Sequence, residues 1–165
     1  MKSKYIRESA DIVKYINDKY PEPVVDIDGP INNSFKEVKH KIGSSLSGLI
    51  KTAVPDYLSD RSAEYFHRTR TEALGQTLAK YREKRIEEGA WKEMEDWICE
   101  VKDLLKRNGG PFFKGESLSL IDIHFLGLLK WAEVTGHAQD YKRIMEMGRP
   151  EFQKFQDAAR PWSKG

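Results

Sequence analysis

The sequence predicts an all-α fold, and three observations carry that reading. Trp91, Met94, Trp97, Ile98, Val101, Leu104 and Leu105 fall within an arc of roughly 140° at the helical repeat, so this segment lays one face on a core. The stretch "GESLSLIDIHFLGLLKWAEVTG" is apolar in nearly every direction, which predicts a central helix covered on most sides. Apart from the opening residues, no segment alternates apolar and polar side chains as a strand would.

The elements follow in order. In "YIRESADIVKYI", a β-branched and aromatic lead-in runs into Glu8-Ser9, with Ser9 placed to cap a helix that turns Ile12, Val13 and Ile16 to one side. Pro21, Pro23, Gly29 and Pro30 then forbid continuation, which makes a linker. Helical spacing resumes near Asn33 through Phe35, Val38, Ile42, Leu46, Leu49 and Ile50, and Pro55 ends it. Ser59 is placed to cap a further helix through Tyr65, Phe66 and Leu74, and Gly75 breaks or bends it. "NGG" closes the striped helix after Leu105. The central helix opens on Ser119 and Asp122 at reciprocal-cap spacing, bracketed by Leu118 and Ile123 as a hydrophobic staple, and Gly136 closes it. A buried helix start needs such devices because water cannot reach its first amides. One or two final helices place Tyr141, Ile144, Met145, Phe152 and Phe155 inward.

Composition narrows the function classes. With 165 residues, one domain with a real core is expected. The 28 basic and 26 acidic residues nearly balance, so no dominant attraction to nucleic acid or anionic lipid is implied. The basic run "RTRTEALGQTLAKYREKR" reads as a solvated helix face or as a phosphate-binding stripe. Ser119, Asp122, His124 and Lys130 interrupt the longest apolar stretch, which rules it out as a membrane span, and "MKSKYIRE" has no secretion-signal core. The single cysteine, Cys99, excludes an internal disulfide framework and fits a reducing, cytoplasmic setting. His40, His67, His124 and His137 lie apart without paired ligands, so no metal site is expected, and His124 reads as a hydrogen-bonded core or interface residue.

The stretch "GPFFKGESLSLIDI", running into that apolar helix, resembles the C-terminal helical domain of glutathione transferases. The family pattern is an aromatic, a glycine, a short turn, then Ser or Thr followed three residues later by Asp; Phe113, Gly115, Ser119 and Asp122 match it. "ESADIVKYI" falls where that family has its Glu/Gln-Ser motif, at the last strand-helix turn of the thioredoxin-like domain. "SAEYFHRTRTEALG" is further similar to the fungal and bacterial etherase-like branch.

The resemblance implies a glutathione transferase C-terminal-type helical bundle with a short thioredoxin-like remnant. Residues 1–20 would be that remnant, its last strand and helix, with 21–32 the linker and 33–165 the helical domain. It implies that Ser9 and its amide hold the γ-glutamyl carboxylate of glutathione, and Glu8 the γ-glutamyl amine; a helix N-terminus suits a carboxylate. Taken bare, Ser9 is a cap and Glu8 a solvated acid. The family activates the glutathione thiol with a Tyr, Ser or Cys near the start of the thioredoxin-like domain, and no residue here matches it, so no catalytic residue is assigned. Glutathione is then a substrate only where the missing domain is supplied. The helical domain would bring the hydrophobic co-substrate pocket, with Tyr57, Tyr65, Phe66, His67, Arg68 and Arg70 as candidates; Tyr65 and Phe66 also read as core, and Arg68 and Arg70 as solvated charges. The other reading is a helical protein-protein interaction module, forming a homodimer or docking a protein partner, with no nucleic acid and no membrane.

Overall fold

The computed structural model describes residues 5–22 and 29–163. In order these form α1 (Ser9–Lys19), α2 (Pro30–Leu49), a 3₁₀ segment (Lys51–Tyr57), α3 (Asp60–Leu74), α4 (Leu78–Glu87), α5 (Ala90–Lys106), α6 (Leu120–Thr135), α7 (Ala138–Gly148), α8 (Glu151–Ala159) and a closing 3₁₀ turn (Arg160–Trp162). Tyr5–Arg7 take no regular structure, and outside the helices the described residues hold one isolated bridge, between Phe112 and Gly115. The strand expected at the opening is not formed among them, because a strand needs a neighbouring ladder. Half of the expected linker, residues 23–28, lies outside the described residues, as do 1–4 and 164–165.

The boundaries follow from local chemistry. Pro30 sits at the first helical position of α2, where its missing N–H costs nothing, so the helix starts three residues before the periodic pattern does. Pro55 does not end a helix in the open. It lies buried inside the 3₁₀ segment, whose tighter turn carries the chain from α2 toward α3. Gly75, at φ 66, ends α3 outright, and Thr77 caps α4 by accepting the Lys80 amide at 3.3 Å.

One core joins α2, α5, α6, α7 and α8. The stripe on α5 is buried as its spacing predicts, from Met94 to Leu105, with Trp91 half-buried under the Arg143 guanidinium at 4.2 Å. Phe125 of α6 is the hub. Its ring centroid lies 5.5 Å from Phe113, 4.9 Å from Phe155 and 5.0 Å from Phe152, all edge-on, and it also meets Phe35 of α2 and Trp97 of α5. These partners lie on the Phe125 side, beside which Leu126, Leu128 and Trp131 are partly buried against the core, and the opposite side of α6 is open. Ile123 stays 52% exposed and Val134 46%, with His124, Gly127 and Lys130 also outward. The expectations of a helix covered on most sides, and of an interior His124, are corrected accordingly.

The head of α6 is built around a carboxylate. Asp122, fully buried, accepts the Phe113 amide at 2.9 Å on one oxygen; on the other it accepts the Ser119 amide at 2.7 Å and the Ser119 hydroxyl. This is the capping box that the Ser119 and Asp122 spacing predicts. The loop before it turns tightly, Phe112 and Gly115 exchanging amide-carbonyl bonds at 3.0 and 3.1 Å. Gly115 adopts φ 87, and a Cβ on Gly110 would lie 2.2 Å from the Gly115 carbonyl carbon, so both positions require glycine.

Asp122→Ala removes three charge-assisted bonds and leaves two buried amides unpaired, so it should cost about 3 kcal/mol in urea denaturation at pH 7. Asp122→Asn, which keeps one acceptor, should cost less. Glu151, at the start of α8, gives a pH-dependent counterpart. Burial works against its charge, but its own helix amide, then Lys106 and Lys102, outweigh burial and hold the carboxyl below 4.5. A depressed folded pKa stabilises fully above 4.5 and is lost as pH falls through the folded value. Glu151→Gln should therefore lower the urea midpoint at pH 7, and its gap to the native chain should close progressively below pH 4.5.

Candidate functional site

The start of α1 offers what a helix N-terminus always offers. Glu8, with ψ 137, is the N-cap, and its carbonyl accepts the Ile12 amide at 2.9 Å. Ser9 is already the first helical residue, and no side chain caps the helix. The expectation that Ser9 caps α1 is corrected on this point: one residue further into the turn, its hydroxyl no longer reaches the free amides. Both side chains are exposed. No residue of α1 is buried, and its apolar face, with Ile12 at 39% and Ile16 at 42% exposure, is open to solvent.

The six candidate pocket residues do not form one site. Phe66 and Arg70 share one face of α3 with Ala73 and Leu74, and together with Lys51, Leu78 and Tyr81 they line a cavity of about 170 Å³ between α3, α4 and the 3₁₀ segment. Arg70 holds its guanidinium 5.0 Å from the Phe66 ring centroid. His67 and Arg68 lie elsewhere on α3, lining a shallow hollow with Glu64 and Glu72, and Arg68 sits 5.6 Å from the ring of Tyr65, which is 63% exposed. The core reading of Tyr65 fails with it. The sequence reading missed Lys51, Leu78 and Tyr81; the i, i+4, i+8 spacing of Phe66, Arg70 and Leu74 was the available signal.

Tyr57 belongs to a different, polar cleft of about 520 Å³, with Asp56, Arg82, His137, Gln139 and Asp140. Arg82 ties this cleft together. Its guanidinium donates to the Leu49 carbonyl, at the C-terminal end of α2, and to the buried Asp140 carboxylate at 2.7 Å, in the first turn of α7. Each helix end thus meets the charge its dipole favours. Close by, Gly48 lets α4 approach α2, since a Cβ there would lie 2.7 Å from Arg85 Cβ. Arg85 pairs with Glu88 and Glu93 at 2.8 Å each, which raises its pKa, and Ser45 donates to Glu93 at 2.8 Å. These groups are engaged in holding helices together.

Among the described residues no thiol-activating arrangement stands out. Cys99 is exposed on α5. The Tyr141 hydroxyl accepts from Gln156 at 2.7 Å, and burial pushes its pKa up, so it stays protonated at neutral pH. His124, lowered first by burial and then by Lys39, is no part of a catalytic cluster. Among the described residues no group of His, Cys, Asp or Glu is arranged to hold a metal ion, and no helix is long and apolar enough to cross a membrane.

Comparison with known proteins places this architecture. The glutathione S-transferase C-terminal domain profile matches residues 32–162. The glutathione S-transferase-like protein ustS of Aspergillus flavus is 27% identical over 172 residues, covering 96% of this chain and 61% of that protein. Among solved structures, glutathione transferase GSTFuA3 of Phanerochaete chrysosporium superposes with a TM-score of 0.76 at 21% identity, over 96% of this chain and 65% of that one. GSTFuA2 of the same organism gives 0.71 at 21%, over 97% and 67%. At that identity the structures establish the fold. The chain spans about three fifths of the length of its curated relative.

Arg82→Leu should destabilise the chain by about 2 kcal/mol, because Asp140 is left buried without its cation. Combining it with Asp140→Asn should recover part of that loss in a urea-denaturation double-mutant cycle.

Proposed function

The chain belongs to the glutathione S-transferase family through its C-terminal helical domain, and from that premise we propose that it is the acceptor-binding part of a glutathione transferase. The complete enzyme would join glutathione to a hydrophobic electrophile. The glutathione thiolate attacks an electrophilic carbon, an S–C bond forms, and the leaving group departs with its electron pair. The observation that carries this reading is the cavity under α3, apolar along Phe66, Leu74, Leu78 and Tyr81, on the domain that in this family receives the second substrate.

Within the proposal, Glu8 and Ser9 are the chain's own glutathione contacts, holding the γ-glutamyl amine and carboxylate. They are two contacts of a larger set, on an exposed turn, and losing the rest removes several kcal/mol from a modest ligand's affinity. No residue of the chain is assigned to lower the thiol pKa. Residues 1–20 act as the thioredoxin-like remnant and the residues from Asn33 onward as the helical domain, in a reducing cytoplasm that suits an exposed Cys99.

A second reading has its own support. The open apolar face of α1, Ile12 and Ile16 with Tyr20, is what a homodimer or a protein partner would cover, so the domain would serve as a helical interaction module. Sedimentation of the purified chain across concentrations tests it: a monomer throughout removes the homodimer.

The purified 165-residue chain should show no conjugation of glutathione to 1-chloro-2,4-dinitrobenzene above the uncatalysed rate. Turnover that Ser9→Ala abolishes would overturn the reading of this chain as the acceptor-binding part alone.

A further inference from the structure

The cavity under α3 has a size and a charge pattern that together specify a ligand class. Its volume is about 170 Å³, and an apolar protein cavity of about 150 Å³ takes up benzene. The space therefore fits one aromatic ring. Phe66, Leu74, Leu78 and Tyr81 give the ring apolar and aromatic walls, and no acidic side chain lines the cavity.

Two of the lining residues are cations. Lys51 comes from the 3₁₀ segment and Arg70 from α3, and both are exposed. Neither forms an ion pair with any described residue, whereas Lys41, Arg82, Lys84, Arg85 and Lys92 all pair with carboxylates. Arg70 is held against the Phe66 ring, which keeps its charge beside the slot instead of trailing into solvent. An apolar slot beside two uncompensated cations favours an amphipathic anion, apolar at one end and charged at the other.

We propose that this cavity binds a single-ring aromatic carboxylate, the ring against Phe66, Leu78 and Tyr81 and the carboxylate between Lys51 and Arg70. None of the walls comes from α1. The inference thus asks nothing of Glu8 or Ser9; it rests on the transferase reading of this same cavity and deepens it by naming the class of ligand held there, with or without conjugation.

The test is a titration of the isotope-labelled full chain with benzoate, benzamide and acetate, followed by backbone amide shifts. Benzoate should move amides in α3 and at Leu78 and Tyr81, saturating with a Kd of about 1 mM, as suits so small a ligand. Benzamide, uncharged but of the same shape, should bind about tenfold more weakly, and acetate should leave these amides unmoved. Lys51→Gln with Arg70→Gln should cut benzoate affinity about tenfold and leave benzamide unchanged. If that variant does not fold, added sodium chloride should weaken benzoate and not benzamide in the native chain. Equal affinity for benzoate and benzamide would overturn the charge assignment, while the apolar pocket on which the transferase reading rests would stand. Shifts by acetate at the same amides, benzoate shifts elsewhere, or no benzoate shifts would overturn the site itself.

Discussion

The fold depends on one buried carboxylate. Asp122 has no solvent to stabilise its charge, and a carboxylate in that position is tolerable only when its oxygens are filled by donors. Here the donors are the Phe113 amide, the Ser119 amide and the Ser119 hydroxyl. The consequence reaches past the helix terminus. By holding Phe113 from the loop and Ser119 from the cap, Asp122 fixes where α6 begins relative to the turn that precedes it. Phe113 is then delivered into contact with Phe125, Phe35 and Phe155, and through those rings α2, α6 and α8 share one aromatic centre. A shift of the α6 register by one residue would rotate Phe125 by about 100°, more than a quarter of a turn, out of that cluster.

Around this centre the remaining helices are held by polar ties as much as by burial. Arg82 bridges α2 and α7, and Arg85 binds the Glu93 carboxylate of α5 from the close approach that Gly48 permits. α3 stands apart from that arrangement. None of its residues is buried, and Phe66, Arg70, Ala73 and Leu74 line the space between it and the rest of the molecule. A helix that leans on the domain by one narrow face leaves space beneath it, and the α3 cavity follows from that incomplete packing.

The parts legible in the sequence were those where local chemistry and tertiary packing agree. The α5 stripe was readable because a single face does all the burying, and the Ser119-Asp122 box because its spacing is local. The parts that were not legible turn on who covers what. Leu120 to Val134 is apolar on all sides, yet Ile123 and Val134 face solvent, since apolarity reports the demand for burial and says nothing of its supply. Ser9 looked like a cap because Ser favours that position, whereas the turn placed Glu8 there. Tyr57, Tyr65, Phe66, His67, Arg68 and Arg70 lie close in sequence, but a helix of 3.6 residues per turn sends neighbours to different faces. Only Phe66 and Arg70, four apart, reach the cavity together.

The cavity under α3 and the turn at the start of α1 are therefore unequal in physical standing. The cavity under α3 is walled in part by the buried Leu78 and by the close contact of α2 with α4, so its shape is present before any ligand arrives. Glu8 and Ser9 are on the first turn of an eleven-residue helix with no buried residue. A helix that short draws most of its stability from burial of its apolar face and is marginal without it. Whatever covers Ile12 and Ile16 would thus also set how well the turn at Glu8 is ordered. The cavity under α3 is walled by packed helices alone, whereas the order of the turn at Glu8 depends on the contact that completes α1.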